Sequence, residues 1–168
     1  MKKILKFLMV LTITQVYLYP AGAQNPKQAA KMQAVKSMIG NMNFVFQANY
    51  VNPQRGGSKS LDYGYDLVVS KDTLNAFLPY FGRAYTAPVD PTEGGIKFRT
   101  TKFSYTAKTN KKGGWSILIV PKERNSNDMR DVQALRLSVT SDGYASLNVT
   151  STNREPISFD GYIEERKR

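Results

Sequence analysis

Cysteine and histidine are both absent from this chain, and tryptophan occurs once, at Trp115. Without cysteine no disulfide can brace the fold, no thiol can act as a nucleophile and no lipid-modified cysteine can tether the chain to a membrane. Without histidine the commonest general base is missing, and with both gone so are the usual zinc and copper ligands. Acids are also scarce, 13 against 24 Lys and Arg, which leaves a net charge of +11. Beyond the N-terminal residues there is no long apolar run, so nothing later in the chain reads as a membrane-spanning helix, which needs about 20 such residues.

What is present begins with a leader. Met1-Lys2-Lys3-Ile4-Leu5-Lys6 is followed by an apolar run from Phe7 to Val16 and then by Ala21-Gly22-Ala23. A basic start, an apolar middle and small residues before the cut form the pattern of a secretory signal peptide. Residues 1–23 are therefore read as a signal peptide cleaved between Ala23 and Gln24, and residues 24–168 as a single β-rich domain. The chain is expected to be exported, periplasmic or secreted, and not lipid-anchored. Lys2, Lys3 and Lys6 leave with the leader, so the mature domain keeps a charge of +8. Such a charge attracts anionic lipids or acidic polymers through a salt-screened field. Nucleic acid is not favoured, because Lys97, Arg99, Lys102, Lys108, Lys111 and Lys112 are scattered and form no block.

Asn25 and Pro26 supply a cap and a first helical residue. Ala29, Met32, Val35, Ile39 and Met42 then recur at spacings of three and four, which predicts an amphipathic helix over about 25–41 with Gly40 as its stop. After it the period changes to two. Phe44, Phe46, Ala48 and Tyr50 alternate with polar residues, as a strand with one buried face requires. Further strands are expected at 63–69, 73–80, 96–101, 103–107, 115–120, 132–140, 144–151 and 157–163, separated by turn residues such as Gly113-Gly114 and Asp142-Gly143. Short connections favour antiparallel hairpins. The fold class is mainly β: an antiparallel meander of about eight strands, barrel-like with a sandwich as the alternative, preceded by one N-terminal helix.

Catalysis by Ser-Lys, Thr or paired carboxylates is still open to such a chain. Asp128 and Asp131 flank Arg130, and Glu164 and Glu165 adjoin a basic tail, so both pairs read as solvated charges. Asn125-Ser126-Asn127-Asp128 is too sparse for a calcium loop. No catalytic residue, metal ligand or cofactor is assigned.

The most unusual segment is Leu78-Pro79-Tyr80-Phe81-Gly82-Arg83-Ala84-Tyr85. It can be a corner plug, with Gly82 allowing a bend and the aromatics closing the core. Alternatively it lines a ligand mouth, with Tyr80 and Tyr85 stacking on a sugar or an apolar ligand and Arg83 holding an anionic group. Taken with Phe44-x-Phe46-x-Ala48, Leu61-x-Tyr63, Gly95-Ile96-Lys97-Phe98 and Asn153-Arg154, the segment resembles an uncharacterised family of bacterial exported β-proteins, a domain of unknown function. The resemblance covers almost the whole mature chain and implies a periplasmic or envelope setting, with no activity and no functional residue to carry over. Separately, Asp72-Thr73-Leu74 resembles the Asp-Thr-aliphatic acceptor of bacterial O-glycosylation, which makes Thr73 a candidate modification site.

The reading that follows is a non-enzymatic envelope domain that binds a ligand or partner on a β scaffold. Its candidate ligand is a small apolar molecule, a saccharide or an anionic envelope component. The alternative is a structural or stress-related protein held to anionic polymers or lipids by its basic surface. A hydrolase using Ser/Lys or carboxylates ranks last.

Overall fold

The computed structural model describes residues 26–85, 94–110, 113–122 and 132–166. The leader with its Ala23–Gln24 junction, and the acid-containing loop from Asn125 to Asp131, lie outside the described residues.

Helix α1 (Pro26–Gly40) turns Val35 and Ile39 into the core, with Met32, Met38 and Met42 packed beside them. Ala29 is exposed, so the apolar stripe runs through Met38 instead. The helix ends at Gly40, but the left-handed residue that closes it is Met42, at φ 52°. The Asn43 N–H donates to the Met38 carbonyl at 3.0 Å and the Met42 N–H to the Ile39 carbonyl at 3.3 Å. That pair of bonds is the Schellman closure, with a methionine where glycine is usual.

Nine strands follow: β1 (Phe44–Pro53), β2 (Lys59–Val69), β3 (Leu74–Pro79), β4 (Gly95–Thr100), β5 (Phe103–Thr109), β6 (Trp115–Pro121), β7 (Val132–Val139), β8 (Tyr144–Ser151) and β9 (Ile157–Glu165). They form one antiparallel sheet in the order β4-β3-β2-β1-β9-β8-β7-β6-β5, curled into a nearly closed barrel. The first and last strands pair at its centre. From there one arm meanders outward through β2, β3 and β4, and the other returns through β8, β7, β6 and β5.

The link between β4 and β5 is not a hairpin. Eight antiparallel steps separate these strands around the sheet, so they run in the same direction, yet only Thr101 and Lys102 lie between them. They amount to one long strand bent from one arm into the other. Buried Thr100 makes the bend, its hydroxyl oxygen accepting the Lys102 N–H at 3.0 Å.

The core fills the inside of the curl. Phe44, Phe46 and Phe159 are wholly buried, and such side chains contribute about 1.5–3 kcal/mol each on leaving water. Helix α1 lies over one end, where a Cβ on Gly143 would meet Val35 and where the Tyr105 hydroxyl donates to the Ile39 carbonyl at 3.1 Å. Burial pushes that phenol well above its ordinary range. Among the described residues no helix is long and apolar enough to cross a membrane.

Candidate functional site

One irregularity determines what the outer face presents. Simple alternation from Phe44 places Tyr50 inside, but a β-bulge between Ala48 and Tyr50 shifts the register against both neighbours. The phase flips. Val51 becomes wholly buried and Tyr50 stands outside, 51% exposed beside exposed Asn49. Bulges re-aim side chains in this way. The opposite residue on β9 is Gly161, where an added Cβ would overlap the Gln47 carbonyl oxygen, so only glycine fits against the bulge.

Tyr50 stands at one margin of an open groove of about 700 Å³. Its floor follows from cross-strand register: Ser138 opposes Ser146, Ser146 opposes Asp160, and Asp160 opposes Tyr50. These residues alternate with the core residues of their strands and so face outward. Ser138, Ser146 and Asp160 line the groove, Tyr144 forms its other margin at 68% exposure, and Asn110 of the β5–β6 turn reaches its rim. One oxygen of the Asp160 carboxylate accepts from the Asn52 amide at 2.6 Å, which orients it. Every strand under this floor is paired on both sides.

The corner residues singled out from sequence, Tyr80, Arg83 and Tyr85, lie elsewhere, at the barrel end away from α1. Tyr80 is held by its hydroxyl, 2.8 Å from the Arg83 carbonyl and 3.0 Å from the Glu155 carbonyl, able to donate to either. The Arg154 guanidinium lies 5.3 Å from the Tyr80 ring centre and donates to the Gly95 carbonyl at 2.9 Å. The Tyr85 N–H donates to the Asn153 carbonyl at 2.7 Å and the Glu155 N–H to the Arg83 carbonyl at 3.0 Å. Residues 80–85 are thereby stitched to the β8–β9 loop. Desolvation, with a smaller push from Glu155, raises the Tyr80 phenol above its ordinary value. A Cβ on Gly82 would press on the Tyr80 hydroxyl and displace it from the Arg83 and Glu155 carbonyls. Arg83 and Tyr85 are exposed, so of the three candidates Tyr80 has its polar atom engaged internally while the other two project outward.

The outer face of β2–β4 is built differently. Tyr65 and Phe77 stack with ring centres 5.5 Å apart. Lys97 lies 5.1 Å over Phe77, and Lys59 lies 4.8 Å over Phe81. Asp66, opposite both Gln47 and Phe77, has its pKa raised by burial. Thr73 is half-buried in the β2–β3 turn, its N–H donating to the Ser70 hydroxyl oxygen at 3.0 Å. The Ser70 hydroxyl, 2.6 Å from Asp72, is the main cause of that carboxylate's lowered pKa. No group of three or more acids capable of holding a metal occurs among the described residues.

An antiparallel near-barrel with a helix over one end and an aromatic-walled groove outside defines the class. The chain belongs to the family described as Domain of unknown function (DUF4251), whose model matches residues 26–163. It is similar in fold to the crystal structure of a DUF4251 family protein from Bacteroides eggerthii, with a TM-score of 0.57 at 15% identity over 82% of this chain and 91% of that one. No curated protein matches the chain.

Proposed function

We propose that this protein is a non-enzymatic binding domain of the bacterial envelope, and that its ligand lies in the outer groove between Tyr50 and Tyr144. The groove carries the reading. A volume of about 700 Å³ is within the range of small-ligand sites, and its margins are large aromatic rings left in solvent. The missing histidine and cysteine fit binding better than chemistry. The leader pattern of residues 1–23 is the ground for export. Native mass spectrometry of the protein purified from its own envelope tests the proposal. A discrete mass that leaves on denaturation, and that Ser146→Tyr eliminates by filling the floor, is expected. A bare polypeptide mass in both proteins contradicts it.

A second reading rests on the other face, where Lys59 and Lys97 lie over exposed Phe81 and Phe77 near Arg83 and Tyr85. There the domain would hold to anionic envelope polymers or lipids, with Tyr80, Arg83 and Tyr85 at the margin of the contact. Vesicles containing an anionic lipid should then bind it at low salt and release it near physiological salt, where exposed charges are screened over about 8 Å. Groove binding should be indifferent to salt. Thr73 is proposed as an O-glycan acceptor, and an intact mass equal to the bare mature polypeptide removes that idea.

A further inference from the structure

We infer that the groove takes a neutral saccharide chain, stacked on Tyr144 and Tyr50 and hydrogen-bonded along Ser138, Ser146 and Asp160. The inference rests on the binding reading above and adds the chemistry of the ligand.

Two features of the groove point there. Sheet positions usually carry β-branched or aromatic side chains, yet the paired positions on β7 and β8 that line the groove are both serine, Ser138 and Ser146. Serine gives up packing area and in return leaves room, with hydroxyls that both donate and accept. Sugar hydroxyls have the same dual character, so the two serines can satisfy them. The margins supply the other half of sugar recognition. A pyranose has apolar C–H faces that lie flat on an aromatic ring, and Tyr144 and Tyr50 offer rings that are 68% and 51% exposed. By strand spacing and residue rise these tyrosines stand on the order of 10 Å apart, with the serine and aspartate floor between them. Tyr162, directly across from Tyr144 and itself 40% exposed, extends that margin.

Other ligand classes fit less well. An extended peptide that adds to a sheet needs an unpaired strand edge, and β7, β8, β9 and β1 are paired on both sides. A purely apolar ligand would match the tyrosine rings but leave the Ser138 and Ser146 hydroxyls, and the Asp160 oxygen that Asn52 does not bond, desolvated without partners. The charged group among the described lining residues is Asp160, which repels an anion although the chain as a whole is strongly basic.

The test uses the purified full domain with cellohexaose, maltohexaose and N-acetylchitohexaose as neutral probes, oligomeric dextran sulfate as the anionic one and Nile red as the apolar one. Binding is read by calorimetry and by probe fluorescence. At least one hexaose is expected to bind, Tyr144→Ala to weaken it about tenfold and Ser146→Tyr to remove it, with unfolding midpoints unchanged for Tyr144→Ala. Dextran sulfate binding with no hexaose binding overturns the inference. So does hexaose binding that ignores both substitutions. Nile red held in the groove and lost in Ser146→Tyr, with no hexaose bound, overturns the saccharide and leaves the binding domain standing. If no probe binds more tightly than about 1 mM, the saccharide inference fails by itself, and the copurified mass decides the broader reading.

Discussion

The outer face of one sheet carries two surfaces of opposite construction. Over β7, β8, β9 and β1 the cross-strand row Ser138, Ser146, Asp160, Tyr50 is small and polar in the middle, and rings stand only at its margins. One step along the strands, the row Gln47, Asp66, Phe77, Lys97 on β1 to β4 is crowded, with a cation over Phe77 and Tyr65 stacked on it. The same backbone supports both, so side-chain size alone decides which region stays open. The crowded face satisfies its rings with neighbours in its own chain. The open one leaves its rings in solvent.

The largest effect should come from the residue that separates the two. Gly161→Ala places a methyl group on the Gln47 carbonyl, forcing β1 to shift at the bulge; overpacking of this kind costs about 1–3 kcal/mol. A lower urea midpoint is expected, together with loss of hexaose binding because Tyr50 loses its position. Gly64→Ala, a strand glycine with nothing within 4 Å, is the control and should be near neutral. A Gly161→Ala protein with wild-type stability and binding would show that the bulge does not aim Tyr50.

Next in size is Tyr80→Phe. It removes the hydroxyl that reaches the Arg83 and Glu155 carbonyls, and a lost bond of this kind costs about 1–2 kcal/mol. Arg83→Ala and Tyr85→Ala, both exposed, should stay within about 0.5 kcal/mol of wild type and leave hexaose binding intact. If instead they abolish it while the fold holds, the ligand sits at the corner and the groove is empty space.

Much of the fold is legible in the sequence. Helix α1 and the strand positions followed from periods of 3.6 and 2, because burial on one face enforces those periods. The candidate site was less legible, for a reason visible at Tyr50. Period-two reading has no means of detecting an extra residue, so it carried Tyr50 inward past Asn49. The signal lay far off in sequence at Gly161, a glycine inside a strand, which marks a bulge or a close backbone approach. The serine pair was likewise invisible, since Ser138 and Ser146 become neighbours only when their strands are put in register. The Leu78–Tyr85 segment stood out because its composition is local. The bend at Thr100 hid behind a two-residue gap that looks like a hairpin and is a corner.

The smallest effect tests the crowded face by pH. Burial raises the pKa of Asp66, so the folded chain holds that proton more tightly than the unfolded one does. The resulting stabilisation is greatest below the ordinary carboxylate value of 3.8 and is lost as pH rises through the higher folded value. At pH 7 the charged Asp66 is therefore a small burden, under about 1 kcal/mol because much of the group still meets solvent. Asp66→Asn keeps the shape and removes the charge. Its urea midpoint should exceed that of wild type at pH 7, and the difference should close as the pH approaches about 3. A lower midpoint at pH 7 would mean that the carboxylate has a stabilising partner among the cations of that face. The crowded surface would then be held together by charge, and its rings and lysines could not be treated as a patch available to an anionic polymer.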